Sequence, residues 1–246
     1  MTPTGSATDN RSYYDAFAER YEARRGENDP GGYHELLDEL EAELVERYGR
    51  GGDVLEVGCG TGLVLARIAR FARRATGVDL SPGMLAHARA RGLDVQEGSA
   101  TALPFPDATF DVTCAFKVLA HVPDVRGAIA EMARVTRPGG TLLAELYNPL
   151  SWRGLLRRVG PARRVAESRR ESDVFTRFDT PWQARRYVPP DCRLVAARGI
   201  RIVTPTAHAM AVPGLRVGLR ALERRLCDGP LRFLGGFYVL VMRKRG

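Results

Sequence analysis

Gly58, Gly60 and Gly62 stand at alternate positions behind the acidic Glu56, at the end of a short apolar run from Asp53 to Val57. Glycine lets the backbone turn sharply and approach a ligand closely, because it has no Cβ. The apolar, helix-compatible stretch Leu63 to Phe71 follows. Strand, glycine turn and helix start therefore converge, placing backbone N–H groups and the positive end of a helix dipole at one spot. Asp79 ends a second strand pattern, Ala75 to Val78, a place from which a carboxylate can accept two hydrogen bonds from a ribose diol. The chemistry implied is recognition of a nucleoside. A dinucleotide site would read G-x-G-x-x-G, and a P-loop would end in G-K-[ST]. Here the spacing is G-x-G-x-G and no such lysine follows. Glu56 would repel a diphosphate and suits a ligand with positive charge.

Further pieces follow in order: Val78-Asp79-Leu80-Ser81, then Pro82-Gly83-Met84-Leu85, Gly98-Ser99-Ala100, Leu103-Pro104-Phe105, Phe110-Asp111-Val112, and Arg137-Pro138-Gly139-Gly140 before Thr141. Together with E-x-G-C-G-T-G at 56–62, these resemble the class I S-adenosylmethionine-dependent methyltransferase family, of the small-molecule or quinone-biosynthesis type. The resemblance covers about residues 10 to 147 well and the remainder weakly.

It implies a Rossmann-like α/β fold: seven strands, mostly parallel with the last antiparallel, and helices on both faces. It also implies S-adenosylmethionine as cofactor and S-adenosylhomocysteine as product. Carried over residue by residue, the cofactor contacts are Glu56, Gly58, Cys59, Gly60, Gly62, Asp79 (ribose), Leu80, Met84 (adenine face), Ser99, Ala100 and Phe116. Ser99 stands where relatives have an aspartate that receives the adenine amino group. Tyr14 or Tyr21 would reach the methionine carboxylate from a lid. His121 is a candidate general base for a hydroxyl acceptor, or else the residue that orders the loop before Val122-Pro123-Asp124. Lys117, Tyr147, Asn148, Trp152, Trp182 and His208 are candidates for the acceptor pocket, with plain packing as the alternative for each.

These residues need a scaffold. Tyr13, Tyr14, Phe17 and Tyr21 line one face of a helix over 11–24, and Leu36, Leu37, Leu40, Leu44 and Val45 one face of a second over 33–48. Strand patterns then alternate with helices: strands near 53–58, 75–79, 93–97, 110–115 and 141–146, helices near 63–72, 82–91 and 124–136. After Asn148 comes an Arg-rich insertion to about 180. A short helix at 181–187, a strand at 193–203, a helix at 213–227 and a closing strand at 236–243 follow. The domain reading is a disordered leader at 1–10, lid helices at 11–50, a cofactor-binding core at 51–147, and at 148–246 an acceptor cap with the last two strands.

Composition sets the bounds. The 246 residues, 44% hydrophobic, suffice for one domain with additions. No apolar run reaches membrane-spanning length, and the polar start argues against a signal peptide. Cys59, Cys114, Cys192 and Cys227 are too scattered for a disulfide framework or a zinc site, so no metal is expected, and reduced thiols fit the cytoplasm. Residues 151–246 carry a net +14 against −6 for the first 150, almost all of it arginine. That basic half keeps an RNA methyltransferase in play. The short pattern Leu155, Leu156 and Val159 among arginines keeps membrane-surface methylation of a lipid-like quinone in play. The leading expectation is methyl transfer to O, N or C of a small apolar or aromatic metabolite of secondary metabolism, by a monomer or homodimer.

Overall fold

The computed structural model describes residues 11, 14, 15, 18, 21, 32–151, 175–204 and 207–246, leaving aside the side chains of 207 and 208. One sheet runs through the molecule, built from β1 (Asp53–Val57), β2 (Arg74–Asp79), β3 (Asp94–Glu97), β4 (Phe110–Ala115), β5 (Thr136–Tyr147), β6 (Cys192–Ile200) and β7 (Phe237–Lys244). The strand order is β3-β2-β1-β4-β5-β7-β6, with β7 antiparallel to both neighbours and the other pairs parallel. The order reverses between β1 and β4, which opens a crevice at their carboxyl ends where open α/β sheets bind ligands.

The helices are α1 (Tyr33–Gly49), α2 (Leu63–Ile68), α3 (Pro82–Ala90), α4 (Val125–Val135), α5 (Pro181–Ala184), α6 (Ala207–Met210) and α7 (Pro213–Leu226). Side-chain alternation along β5 feeds two core layers, as period-two geometry demands. Leu142 and Ala144 join Ile129 and Met132 of α4 on one face; Leu143 joins Leu36, Leu40 and Leu44 of α1 on the other. Val54 to Val57 are buried throughout, the continuous burial expected of a central parallel strand. Local chemistry starts the helices. The Ser81 hydroxyl accepts from Met84 N at 3.1 Å with Pro82 opening α3, and Asp124 accepts from Gly127 N at 2.9 Å to open α4.

Two expectations about element length are corrected. The helix expected over 63–72 ends at Ile68, because Gly51 N donates to Phe71 O and Arg73 N to Gly52 O, turning the chain against the α1–β1 link. β5 begins at Thr136 rather than 141, because Phe110 pairs with Thr136 and Val112 with Thr141 across an irregular register.

The basic C-terminal half meets the acidic N-terminal half. Arg220 and Arg224 of α7 pair with Glu39 and Glu43 of α1. Buried Arg198 holds Asp228 at 2.7 Å and the Leu40 carbonyl at 3.0 Å. Two of the arginines of the basic half are thus matched by acids of α1. The second excursion places Met210 in the α1 core layer and leaves Leu215 exposed, and neither lines the large cavity. Its anchor is fully buried Glu223, which accepts from the backbone N–H of Ile202, Val203 and Thr204 and from the Thr204 hydroxyl, at 2.8–2.9 Å. Among the described residues no helix is long and apolar enough to cross a membrane. The four cysteines are buried and unbridged.

Candidate cofactor and acceptor site

A cavity of about 1070 Å³ lies along the carboxyl ends of β1, β2, β4 and β5. Its wall begins with the glycine turn. Gly58 has φ +72°, and a Cβ there would stand 2.5 Å from Val118, so only glycine fits. Gly60, at φ +55°, would meet nothing within 4 Å because that position faces the open cavity. Its N–H donates to Asp79 Oδ2 at 2.8 Å, and Ser81 N donates to Oδ1 at 2.9 Å. The carboxylate is therefore oriented by backbone, and each oxygen keeps lone-pair capacity for a ligand. Burial pushes the Asp79 carboxyl above its ordinary value, opposed by those same N–H donors.

Leu80, Met84, Ser99 and Ala100 line the cavity next to Asp79. Met84 is buried, and Ser99 Oγ lies 2.9 Å from Thr101 Oγ1 while accepting from Thr101 N. The Asp15 carboxylate accepts from Ser81 Oγ and Gly83 N, tying the first helical residues to the start of α3. At the cavity wall Glu56 is 3% exposed, and its Oε2 has no partner among the described residues. Burial first, then Glu41, raises its carboxyl well above the usual range. Thr61 Oγ1 is likewise buried without a partner. An unpaired buried carboxylate oxygen is costly unless a ligand supplies a donor or a positive charge. The amino group and sulfonium of S-adenosylmethionine would supply both, and a ribose would meet Asp79; the residues present fit that group.

The far end is aromatic. Tyr147 stacks edge-on with His121 (centroids 5.5 Å) and Phe237 (5.3 Å), and packs obliquely on Phe178 (6.0 Å). Tyr14 meets His121 edge-on at 6.2 Å. His121 Nδ1 lies 3.1 Å from the Phe175 carbonyl and 3.2 Å from Thr176 Oγ1, and Nε2 lies 3.4 Å from the Tyr147 hydroxyl. A carbonyl only accepts, so Nδ1 carries the proton and Nε2 is the basic nitrogen. Burial lowers the His121 pKa and keeps the ring neutral near pH 7, the form a general base requires. Burial also raises the Tyr147 phenol, which stays protonated.

Of the residues singled out from the sequence, Tyr14, Tyr21, Glu56, Gly58, Cys59, Gly60, Asp79, Leu80, Met84, Ser99, Ala100, Phe116, Lys117, His121, Tyr147 and Asn148 all line this cavity. Several are placed otherwise than expected. Gly62 does not line it; at φ +82° a Cβ would strike Leu93 at 2.4 Å, so its role is packing between α2 and the α3–β3 link. Trp182 is 63% exposed and stacks on Phe233 outside the cavity. The Asn148 amide donates to the carbonyls of Phe233 and Gly235, holding the turn into β7. Lys117 Nζ is held by Asp38 at 2.9 Å and Glu41 at 2.7 Å, and its N–H by Glu145 Oε1 at 3.0 Å, so it clamps α1 to the ends of β4 and β5. Trp152 and the side chain of His208 lie outside the described residues. Sequence reasoning missed Tyr33, His34, Leu37, Glu41, Thr61, Thr176, Phe178 and Phe237. A signal existed for one of them: Glu41 interrupts the apolar stripe Leu37, Leu40, Leu44 of α1.

Residues 55–144 match a family model described as a methyltransferase domain. A probable S-adenosylmethionine-dependent methyltransferase of Mycolicibacterium smegmatis is 41% identical over 104 residues, 42% of this chain and 40% of that protein. The 27-O-demethylrifamycin SV methyltransferase of Amycolatopsis mediterranei is 37% identical over 148 residues, 52% of this chain and 54% of that protein. The chain thus spans about half the length of the curated relatives it matches. Among solved structures, the [4+2]-cyclase SpnF superposes with a TM-score of 0.65 at 22% identity, covering 100% of this chain and 99% of that one. That likeness shows the fold. Residues 55–144 thus resemble a methyltransferase domain, carried here on a Rossmann-like sheet.

Proposed function

We propose that this protein transfers a methyl group from S-adenosylmethionine to O, N or C of a small acceptor bearing an aromatic or flat apolar ring. The observation that carries the reading is the continuity of one cavity from Asp79, past Glu56, to the rings of Tyr147, Phe178 and Phe237. Single small-molecule sites measure ~300–1,000 Å³, so this volume has room for donor and acceptor together. The bound donor supplies an electrophilic methyl group on a sulfonium. The chain aligns the acceptor among aromatic edges, excludes water, and offers His121 Nε2 to take a hydroxyl proton. Tyr14 lines the cavity and meets His121 edge-on, which supports a closing role for the segment that carries it. Relatives named for demethylrifamycin SV and demethylmenaquinone support a ring-bearing acceptor. We place the enzyme in the cytoplasm.

A second reading has its own support. A close structural neighbour named as a cyclase illustrates that this fold hosts other chemistry. Calorimetric titration with donor, followed by transfer of labelled methyl to a panel of phenols, hydroquinones and aromatic amines, separates the two. Donor binding with turnover on any of them supports methyl transfer. Donor binding with no labelled product on the whole panel favours the cofactor-retaining, non-methylating alternative.

A further inference from the structure

Beside the glycine turn lies a buried charge cluster that methyl transfer itself does not require. Asp38 and Glu41 come from α1, Glu56 from β1 and Glu145 from β5; all four are at most 4% exposed. The ammonium that answers them is that of Lys117, held between Asp38 and Glu41 while its backbone N–H, at φ +58°, is pinned by Glu145. The carboxylate oxygens Glu56 Oε2 and Glu145 Oε2 are fully buried with no partner among the described residues, and Glu56 faces the cavity. Carboxyl groups buried with an oxygen unmatched, as Glu56 and Glu145 are, do not both stay ionised in a dry site.

We propose that this cluster senses the charge on the methyl donor, taking up the sulfonium ligand in exchange for a proton and holding the neutral-sulfur product less firmly. The inference rests on the donor reading above. S-adenosylmethionine bears one net positive charge. When the methyl leaves, sulfur keeps the bonding pair, becomes a neutral thioether, and that net charge is lost. The empty cluster holds protons because burial raises Glu56 and Glu145 well above the carboxylate range. The groups facing Glu56 are Glu41 and Asp38 on α1, Lys117 after β4, Asp79 on β2, and the thiols of Cys59 and Cys114. Those facing Glu145 are Glu41, Asp38, Lys117 and Tyr147. Among the described residues Lys117 opposes them, and a bound cation adds to it, lowers the carboxyl values and sends a proton to solvent. Donor affinity therefore rises with pH, and product affinity rises less.

Isothermal titration of the full chain with S-adenosylmethionine and S-adenosylhomocysteine, in buffers of differing protonation enthalpy, reads the proton count directly. Donor binding should release on the order of one proton near neutral pH, and product binding clearly fewer. Between about pH 6 and about pH 8, donor affinity relative to product should rise about tenfold. Glu41→Gln and Glu145→Gln keep the side-chain volume and should each cut the proton release and flatten that ratio. Thermal melts establish that each variant is folded, and either folded variant suffices. Equal proton release by both ligands, or unaltered release in a folded variant, overturns the inference and leaves the donor reading standing. Failure of both ligands to bind at any pH overturns the donor reading and this inference with it.

Discussion

Asp79→Asn tests the centre of the site with the least change in shape. In the native turn each carboxylate oxygen accepts one backbone N–H, from Gly60 at 2.8 Å and from Ser81 at 2.9 Å. An amide offers one acceptor and one donor. Whichever way it is placed, one of those N–H groups faces an NH₂ and is left unsatisfied. A buried donor without its acceptor costs about 1–3 kcal/mol. For a chain of this length that lowers Tm by roughly 2–4 °C per kcal/mol, so a fall of about 2–12 °C is expected. Donor binding suffers further, because hydrogen bonds from the ribose to a charged acceptor are lost, about 1.5–3 kcal/mol or roughly 10- to 150-fold in Kd. Differential scanning calorimetry and isothermal titration read the two effects separately. A lowered Tm with unchanged donor affinity would mean that the carboxylate braces the glycine turn and never touches the ligand. An unchanged Tm would refute the assignment of those two hydrogen bonds as structural.

Gly60→Ala should lower the melting temperature by only about 2–4 °C yet weaken donor binding at least tenfold, since its methyl projects into open cavity at a positive φ costing about 1 kcal/mol; titration calorimetry beside a melt checks both halves. His121→Ala should cut turnover about 10²-fold on a hydroxyl acceptor, and near-normal rates would return the residue to ordering its loop. The same histidine shapes the pH response. Its folded pKa lies below the ordinary 6.5, so the unfolded chain binds more protons there, and its stability contribution is complete above about 6.5 and lost as pH falls through the depressed value. Denaturant melts of wild type and His121→Asn across that interval should converge at the acid end. Glu223→Ala strips the acceptor from three backbone N–H groups and a hydroxyl far from the cavity. Stability should fall by at least about 3 kcal/mol with donor affinity in the surviving folded fraction unaltered.

The local motifs carried their own geometry. A glycine turn with Asp79 one strand further on can place a carboxylate beside the turn in only one way, because the two parallel strands end side by side. Hence the donor end of the cavity was readable residue by residue, and so was the place of each of the seven strands in the chain. Gly62 misled because three alternating glycines look equivalent in the chain. Only packing shows that one braces Val118, one opens to the cavity and one makes room for Leu93.

The acceptor end was not readable, for a related reason. Its walls come from α1, the loop after β4, the end of β5, residues 176–178 and the start of β7, segments far apart in the chain whose juxtaposition depends on sheet order. Trp182 and Lys117 have the right residue types near the right strand ends, yet tertiary contacts send one out to Phe233 and bury the other among acids. Charge followed the same division. Residue counts gave a basic half and an acidic half, and only the fold decided that Arg220 and Arg224 would be spent on Glu39 and Glu43. Short-range chemistry fixes what a few consecutive residues can do, whereas long-range packing decides which of them ever meet a ligand.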